Sequence, residues 1–309
     1  MRKEIICELD DLDGWLKKID SVFPLQNIID RNIERESIVD YYRKSSAVYT
    51  YLHSYHGCVH MALSPDGIFR KGGFYGQLNE IAGQINRPQV KNVLELGCGK
   101  GFNLLFLAGR FPDVHFSGID ITDKHLAVAQ KKSSSVRNLN IAYGDFHQLH
   151  YADASFDLIF ELEAVCHARN SRQVLSEVFR VLKKGGRFLL YDGFRANDFE
   201  ALPEHLKKAA IVVEKSLAVD RFEKIDCWIK TAEEEGFTLK INKDLSRTIM
   251  PNLARLQVWA LRYFSNYYLS KILLGIFKQY TLMNCAAVLL MPFTLHNGAH
   301  AYYHMALEK

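Results

Sequence analysis

Residues 91–101 read KNVLELGCGKG, and the rest of the chain is arranged around them. Val93, Leu94 and Leu96 form an apolar run of strand length, with Gly97, Gly99 and Gly101 following at alternate positions. The residues after them, FNLLFLAGRF, place apolar side chains at helical spacing. Strand, glycine turn and helix make the opening βα unit of a doubly wound, nucleotide-binding sheet. Glycine is needed there because the backbone turns sharply and a ligand must lie against it with no Cβ in the way. The spacing also separates ligand types. A dinucleotide fingerprint is G-x-G-x-x-G and seats a pyrophosphate on the helix N-terminus. Here the third glycine comes one residue early, and Glu95 stands two residues before the first. A carboxylate at that place repels a pyrophosphate and suits a ligand with an amine or a positive charge.

Downstream the βα alternation is regular, as a parallel sheet requires. Residues 114–119 (VHFSGI) make a second strand, ended by Asp120, which lies 19 residues beyond Gly101. An acid there can accept from both hydroxyls of a ribose. Thr122 is placed to cap the next helix. Residues 138–143 form a third strand, followed by Gly144-Asp145-Phe146, where the acid can accept from an adenine amino group and the aromatic can cover the ring. Taken singly, Asp120 reads as a cap and Asp145 as a turn former; in one order on successive strand ends they read as a site. A fourth strand, 156–162, leads into Glu163-Ala-Val-Cys-His167, which leaves its carboxyl end, where ligands of open α/β sheets bind. A helix over 174–182 stops at Lys183-Lys184-Gly185-Gly186, and 187–192 is a fifth strand. Helices over 196–235, a sixth strand at 237–243 and a seventh at 301–308 complete the pattern.

The segments Glu95-x-Gly97-x-Gly99-x-Gly101 and FDLIFELEAVCH…VFRVLKKGGRFLLYD resemble the class I S-adenosylmethionine-dependent methyltransferases over roughly residues 91–193. The resemblance implies an α/β fold with a seven-stranded, doubly wound, Rossmann-like sheet whose last strand lies antiparallel between the fifth and sixth. It implies S-adenosylmethionine as cofactor, S-adenosylhomocysteine as product, and cofactor contacts from Glu95, Gly97, Gly99, Gly101, Asp120, Ile121, Asp145, Phe146 and Glu161. The phrase ELEAVCH is similar to the E-A-T-C-H stretch of sterol 24-C-methyltransferases, with Val165 in place of the Thr. Those enzymes methylate an alkene carbon and must stabilise, then deprotonate, a cation. The implied activity is C-methylation of a small lipophilic molecule, isoprenoid, sterol-like or polycyclic. N- or O-methylation of a small specialised metabolite is the alternative, and a non-catalytic cofactor-binding or membrane-surface protein is a reading of another class. Glu163 and His167 are the candidate catalytic pair; on a helix their spacing of four would put both on one face.

The flanks are read as attachments. Residues 1–90 lack strand alternation and are expected to form a helical cap on the substrate side, with the Tyr- and His-rich stretch Tyr41–Met61 inside it. Tyr49, His53, His56 and His60 there are candidate acceptor contacts; no Asp, Glu or Cys completes a metal set with the histidines, so none is expected. Residues 251–296 interrupt the core (91–250 and 297–309) as an apolar, aromatic insertion, read as a helical lid with Tyr263 and Tyr267 toward the acceptor. A packed appendage and a membrane-surface helix compete with that reading. Gln279–Leu295 has no charged residue over 17 positions, but its Gln, Asn, Thr and Pro292 favour a buried helix over a membrane span.

Composition agrees with a globular chain of 309 residues that is 48% hydrophobic. A net charge of +4 without a dense basic run argues against nucleic acid. Six scattered cysteines without a C-x-x-C pair, and an N-terminus charged too early for a secretory signal, point to a reduced, cytoplasmic setting. The expected partner is a small-molecule acceptor; peripheral membrane contact and a homodimer are both compatible with the sequence.

Overall fold

A computed structural model describes residues 5–48, 53–54, 57–276 and 279–309. Three helices, α1 (Leu9–Val22), α2 (Leu25–Ile29) and α3 (Arg35–Val48), open the chain, and α4 (Gly76–Ile85) leads into the sheet. Then follow β1 (Asn92–Leu96), α5 (Phe102–Arg110), β2 (His115–Asp120), α6 (Asp123–Ser133), β3 (Leu139–Tyr143), β4 (Phe156–Leu162), α7 (Ser171–Val181) and β5 (Leu182–Arg195). The second half contains α8 (Glu204–Ser216), α9 (Ile225–Glu234), β6 (Thr238–Asp244), α10 (Ser246–Phe264), α11 (Tyr267–Ile276), α12 (Gln279–His296) and β7 (His300–Glu308).

The strands form one seven-stranded sheet in the order β3-β2-β1-β4-β5-β7-β6. β1 to β5 pair in parallel, and β7 runs antiparallel between β5 and β6, as the resemblance implied. Parallel strands are covered on both faces and so read as continuous apolar runs. In β1, Val93 packs with α4 and α5, whereas Leu94 and Leu96 face the side covered by α7 and α9. α7 shows how such a cover forms: Val174, Leu175, Val178 and Val181 make one buried stripe, and the Asn170 side chain accepts from Gln173 N to cap the first turn. After β1 the chain builds outward to β2 and β3, then returns to place β4 on the other side of β1. That reversal opens a crevice at the carboxyl ends of β1 and β4, where the strand-end residues collect.

The fifth strand begins earlier than its sequence suggests. Phe156 pairs with Leu182 and Leu158 with Arg187, so Lys183–Gly186 bulge out between two paired positions. Gly185 takes φ 74°, and the bulge is tied by Gly185 N to Lys309 O and by Lys309 N to Gly186 O. What reads as a helix stop is thus also the start of a strand.

A third apolar cluster is made almost entirely of helices. Leu12, Leu16 and Ile19 of α1, Leu206 and Val213 of α8, Ala260 of α10 and Leu289 and Phe293 of α12 are all buried in it. The insertion is therefore a packed layer rather than a detached flap. Its uncharged stretch is α12, with Leu282, Met283, Ala286 and Leu290 buried among neighbouring helices. Among the described residues no helix is long and apolar enough to cross a membrane.

Candidate active site

The glycine turn takes left-handed backbone at Gly97 (φ 67°), Gly99 (φ 52°) and Gly101 (φ 76°). The three differ in what surrounds them. A Cβ on Gly97 would sit 2.5 Å from Ala164 Cβ, whereas one on Gly99 would meet nothing closer than His125 Nδ1 at 4.0 Å. Gly97 and Gly99 both line a cavity of about 320 Å³ at the carboxyl ends of β1, β2 and β4. Gly101 does not. It precedes α5, and its Cβ would press on Ile141 and Ala129, so it serves close packing and is not a ligand contact.

Asp120, Ile121, Asp145 and Phe146 line the same cavity. The Asp120 carboxylate accepts from Gly99 N (2.9 Å) and Thr122 N (2.7 Å), so it holds the glycine turn as well as facing the space above it. Asp145 accepts from His147 N at 2.9 Å and lies 3.3 Å from the Arg35 guanidinium of α3. Phe146 places an aromatic side chain on the same wall.

Glu95 lies buried beneath the turn. Its Oε1 accepts from Asn103 Nδ2 at 2.6 Å, while Oε2 is buried with no hydrogen-bond partner. Burial, aided by the nearby Asp120 charge, pushes this carboxyl from 4.5 up to about 8 against the pull of the Asn103 bond. A group raised on folding stabilises the fold fully below its unfolded value, and that contribution drains away as pH climbs to the folded value. Glu95→Gln should therefore gain on the parent protein between about pH 4.5 and 8, on the order of 1 kcal/mol per pH unit. Chemical denaturation of the two proteins at both ends of that range tests this; a constant difference would show that Glu95 is not raised.

Glu161 does not reach the cavity. It is fully buried, and its carboxylate accepts from Ala164 N (2.8 Å), Val165 N (3.2 Å) and Tyr191 N (3.1 Å). It braces the end of β4 and is corrected from cofactor contact to structural support.

Glu163 and His167 do come together, but by another route than a helix. Glu163 has φ 56°, which no α-helix accommodates, and only a single 3₁₀ turn, Val165–His167, follows. Glu163 Oε1 accepts from Met61 N (2.6 Å) and Tyr302 Oη (2.9 Å). Burial raises this carboxyl from 4.5 to about 8, although both bonds favour its ionised form. His167 Nδ1 lies 3.0 Å from Ala218 O, a pure acceptor, so Nδ1 carries the proton and Nε2 accepts from Tyr42 Oη at 2.9 Å. Burial lowers the imidazole to about 4 and keeps it neutral.

A second cavity, of about 90 Å³, adjoins the first across Tyr42, Val59, Glu163 and His167. Its far wall is apolar: Met61, Val213 of α8 and Leu217 just after it, Ile249 of α10, and Met291 and Leu295 of α12. Asp192 and Tyr302 also reach it. Asp192 ends the central part of β5, accepts from Cys166 N and Gly193 N at 2.7 Å each, and is raised by burial to about 6.

Four of the expected acceptor contacts lie elsewhere, and two fall outside the described residues, Tyr49 and His56. His53 Nε2 bonds to His60 O at 2.8 Å, and His60 Nε2 to Asn103 Oδ1 at 3.2 Å; both rings are buried against Phe74. Residues 57–63 form no helix, so the histidine spacing makes no shared face. Tyr263 is buried in the helical cluster with its hydroxyl on Ser270 O, and Tyr267 is exposed on α11. Tyr42, Asp192 and Tyr302 are the residues sequence reasoning passed over. Asp192 had the same signal as Asp120, an acid at a strand's carboxyl end; the tyrosines had only their aromatic setting.

Residues 89–235 match a family described as a methyltransferase domain. The sterol 24-C-methyltransferase of Saccharomyces cerevisiae is 30% identical over 158 residues, covering 50% of this chain and 41% of that protein. Its counterpart in Neurospora crassa is 26% identical over 212 residues, 67% of this chain and 54% of that protein. The chain thus spans about half the length of the curated relatives it matches. In fold it is similar to a cyclopropane synthase from Mycobacterium tuberculosis, with a TM-score of 0.74 at 14% identity over 91% of this chain and 100% of that one. Motif, sheet order and matched residues agree: residues 89–235 form a methyltransferase domain of the class I, S-adenosylmethionine-dependent kind, and the chain is similar over about half its length to the sterol C-methyltransferases.

Proposed function

We propose that the protein transfers a methyl group from S-adenosylmethionine to a carbon of a small lipophilic acceptor, isoprenoid, sterol-like or polycyclic. One observation carries the reading: the glycine-lined cavity and the apolar cavity meet at Glu163, His167, Tyr42 and Val59. The first fits the cofactor in its chemistry. Gly99 leaves open space where a Cβ would stand, Asp120 and Asp145 offer acceptors in sequence order, and Glu95 keeps a buried, unpaired oxygen suited to an amine. When bound there the cofactor supplies a methyl group on a sulfonium. The second cavity presents methyl and methylene groups to the acceptor, with a carboxyl and a phenol at its mouth.

The chain's own residues then have distinct tasks. Glu163 is the acid on both cavities, placed to offset positive charge developing on an alkene carbon and to receive the proton released afterwards. His167, neutral and bonded at both nitrogens, orients the Tyr42 ring and is poorly suited to act as a base. In this reading α3, residues 57–63 and α10 to α12 close the acceptor side, while 91–250 and 297–309 carry the cofactor. The sterol enzymes among the relatives, and a geranyl diphosphate C-methyltransferase from Streptomyces coelicolor of similar fold (TM-score 0.62, 13% identity), support a lipophilic acceptor. Peripheral membrane contact belongs to the same proposal, since such acceptors partition into lipid.

The test is methyl transfer from labelled S-adenosylmethionine to a panel of isoprenoid and sterol alkenes set beside amines and phenols. Label on an alkene-derived carbon is the expected outcome. Label confined to nitrogen or oxygen would replace C-methylation by the alternative chemistry.

A further inference from the structure

We propose that the outer face of α10 and α11 is a docking surface for an anionic lipid bilayer. Among the described residues eight large apolar side chains are exposed, and five of them, Trp259, Tyr267, Tyr268, Leu269 and Ile272, fall on these two helices. Tyr268 is 79% and Ile272 60% exposed, so neither is a partly covered core residue. The other three, Ile68, Val128 and Tyr143, are scattered through the chain. A folded chain leaves single apolar side chains in water freely, but a cluster marks a surface that meets something.

Charge identifies what it meets. From Leu245 to Leu307 the sequence holds no Asp or Glu, while Arg247, Arg255, Arg262, Lys271 and Lys278 supply five cations. Two of these lie among the exposed rings: the Arg262 guanidinium is 5.3 Å from the Trp259 ring, and Lys271 Nζ is 5.5 Å from the Tyr267 ring. Lys271 also donates to Val22 O at the last residue of α1; of that helix's acids, Asp10, Asp11 and Asp13 stand in its first turns, and Asp20, in its last, accepts from Leu25 N. The face therefore combines tryptophan, tyrosines and aliphatic side chains with cations and no acid of its own helices. Aromatic residues of this kind settle at the headgroup boundary, with basic side chains reaching the lipid phosphates. A protein partner would need a matching acidic surface, and a second copy of the same face would bring cations against cations, so the bilayer is the occupant the charge pattern selects. α11 has only 10 residues and α10 buries its other face among the helices, so the contact is peripheral rather than spanning.

The surface stands apart from the cofactor and acceptor cavities, and binding to it requires neither ligand. The whole protein is sedimented with vesicles of phosphatidylcholine alone and of phosphatidylcholine mixed with phosphatidylserine. S-adenosylhomocysteine binding and thermal unfolding are measured on the same samples. The parent should bind the mixed vesicles at least about tenfold more tightly than the neutral ones, with release at high salt. The double variant Tyr268→Glu with Ile272→Glu should lose about tenfold or more in vesicle binding, with unfolding temperature and S-adenosylhomocysteine affinity unchanged. Val128→Glu, at an exposed apolar site on α6, should bind vesicles like the parent. The proposal falls if a folded, S-adenosylhomocysteine-binding parent ignores both vesicles, or if the double variant binds as well as the parent. It falls equally if sedimentation velocity shows a dimer that the double variant dissociates, because the face is then covered by a second copy. Failure of S-adenosylhomocysteine binding alone would count against the cofactor reading and leave the vesicle result standing.

Discussion

Gly99→Leu should give a folded protein with no measurable affinity for S-adenosylmethionine or S-adenosylhomocysteine, while Gly97→Leu should give one too unstable to assay. Both glycines have positive φ, so any side chain costs about 1–3 kcal/mol in backbone strain at either place. Space then decides. At Gly99 the new side chain meets no protein atom closer than 4.0 Å and grows into the cavity, so the strain is the main cost to folding and the ligand loses its place. At Gly97 the first carbon already lies 2.5 Å from Ala164 Cβ, between β1 and the turn after β4, and the core must move. Calorimetry with S-adenosylhomocysteine beside thermal unfolding separates the two outcomes. Normal binding by Gly99→Leu would remove the glycine turn from the cofactor site.

Glu163→Gln should bind the cofactor nearly as the parent does and transfer the methyl group about a hundredfold or more slowly in a single turnover. The amide keeps the oxygen that accepts from Met61 N and Tyr302 Oη, so the wall between the cavities should stay in place. What it loses is the ability to become an anion. In the parent the carboxyl titrates at about 8, so the single-turnover rate should climb as pH approaches and passes that value, whereas the Gln variant should show no such rise. The same raised carboxyl contributes to fold stability below its unfolded value near 4.5, and the contribution disappears as pH rises to about 8. Activity and stability should thus move in opposite directions over that range. Equal losses of affinity and rate, or no loss of rate, would assign Glu163 a structural role only.

The sheet was legible because its signals are local and redundant. Most strands are apolar runs ended by an acid or a glycine, and the antiparallel place of the last strand followed from the family resemblance. Side-chain direction was not. Gly101 and Glu161 occupy the right places in the motif, yet one faces α6 and β3 and the other turns under the end of β4 to three backbone N–H groups. A spacing of four suggested a helix for Glu163 and His167; the left-handed φ at Glu163 that rules it out has no mark in the residue type. The acceptor side was least legible, because its wall is drawn from Met61, α8, α10, α12 and β7, segments far apart in sequence. Histidines 53 and 60 illustrate the difficulty: aromatic density identified the right segment but not which rings would end in the core.

The place of β7 bears on how the protein is made. It is translated after α8 to α12, yet it fills the slot between β5 and β6, and β6 pairs with no other strand. Until β7 emerges from the ribosome, β5 presents an open edge of unpaired N–H and C=O groups, the kind of edge on which chains associate. Tyr302, which holds Glu163, arrives only then. A nascent chain could already have the glycine turn and its acids in place while the Glu163 carboxyl lacks its phenol, so the cofactor side would be complete before the wall between the two cavities during synthesis. An excised fragment ending with α9 would keep that open edge permanently, and a chaperone that shields strand edges would act on this protein in the interval before β7 docks.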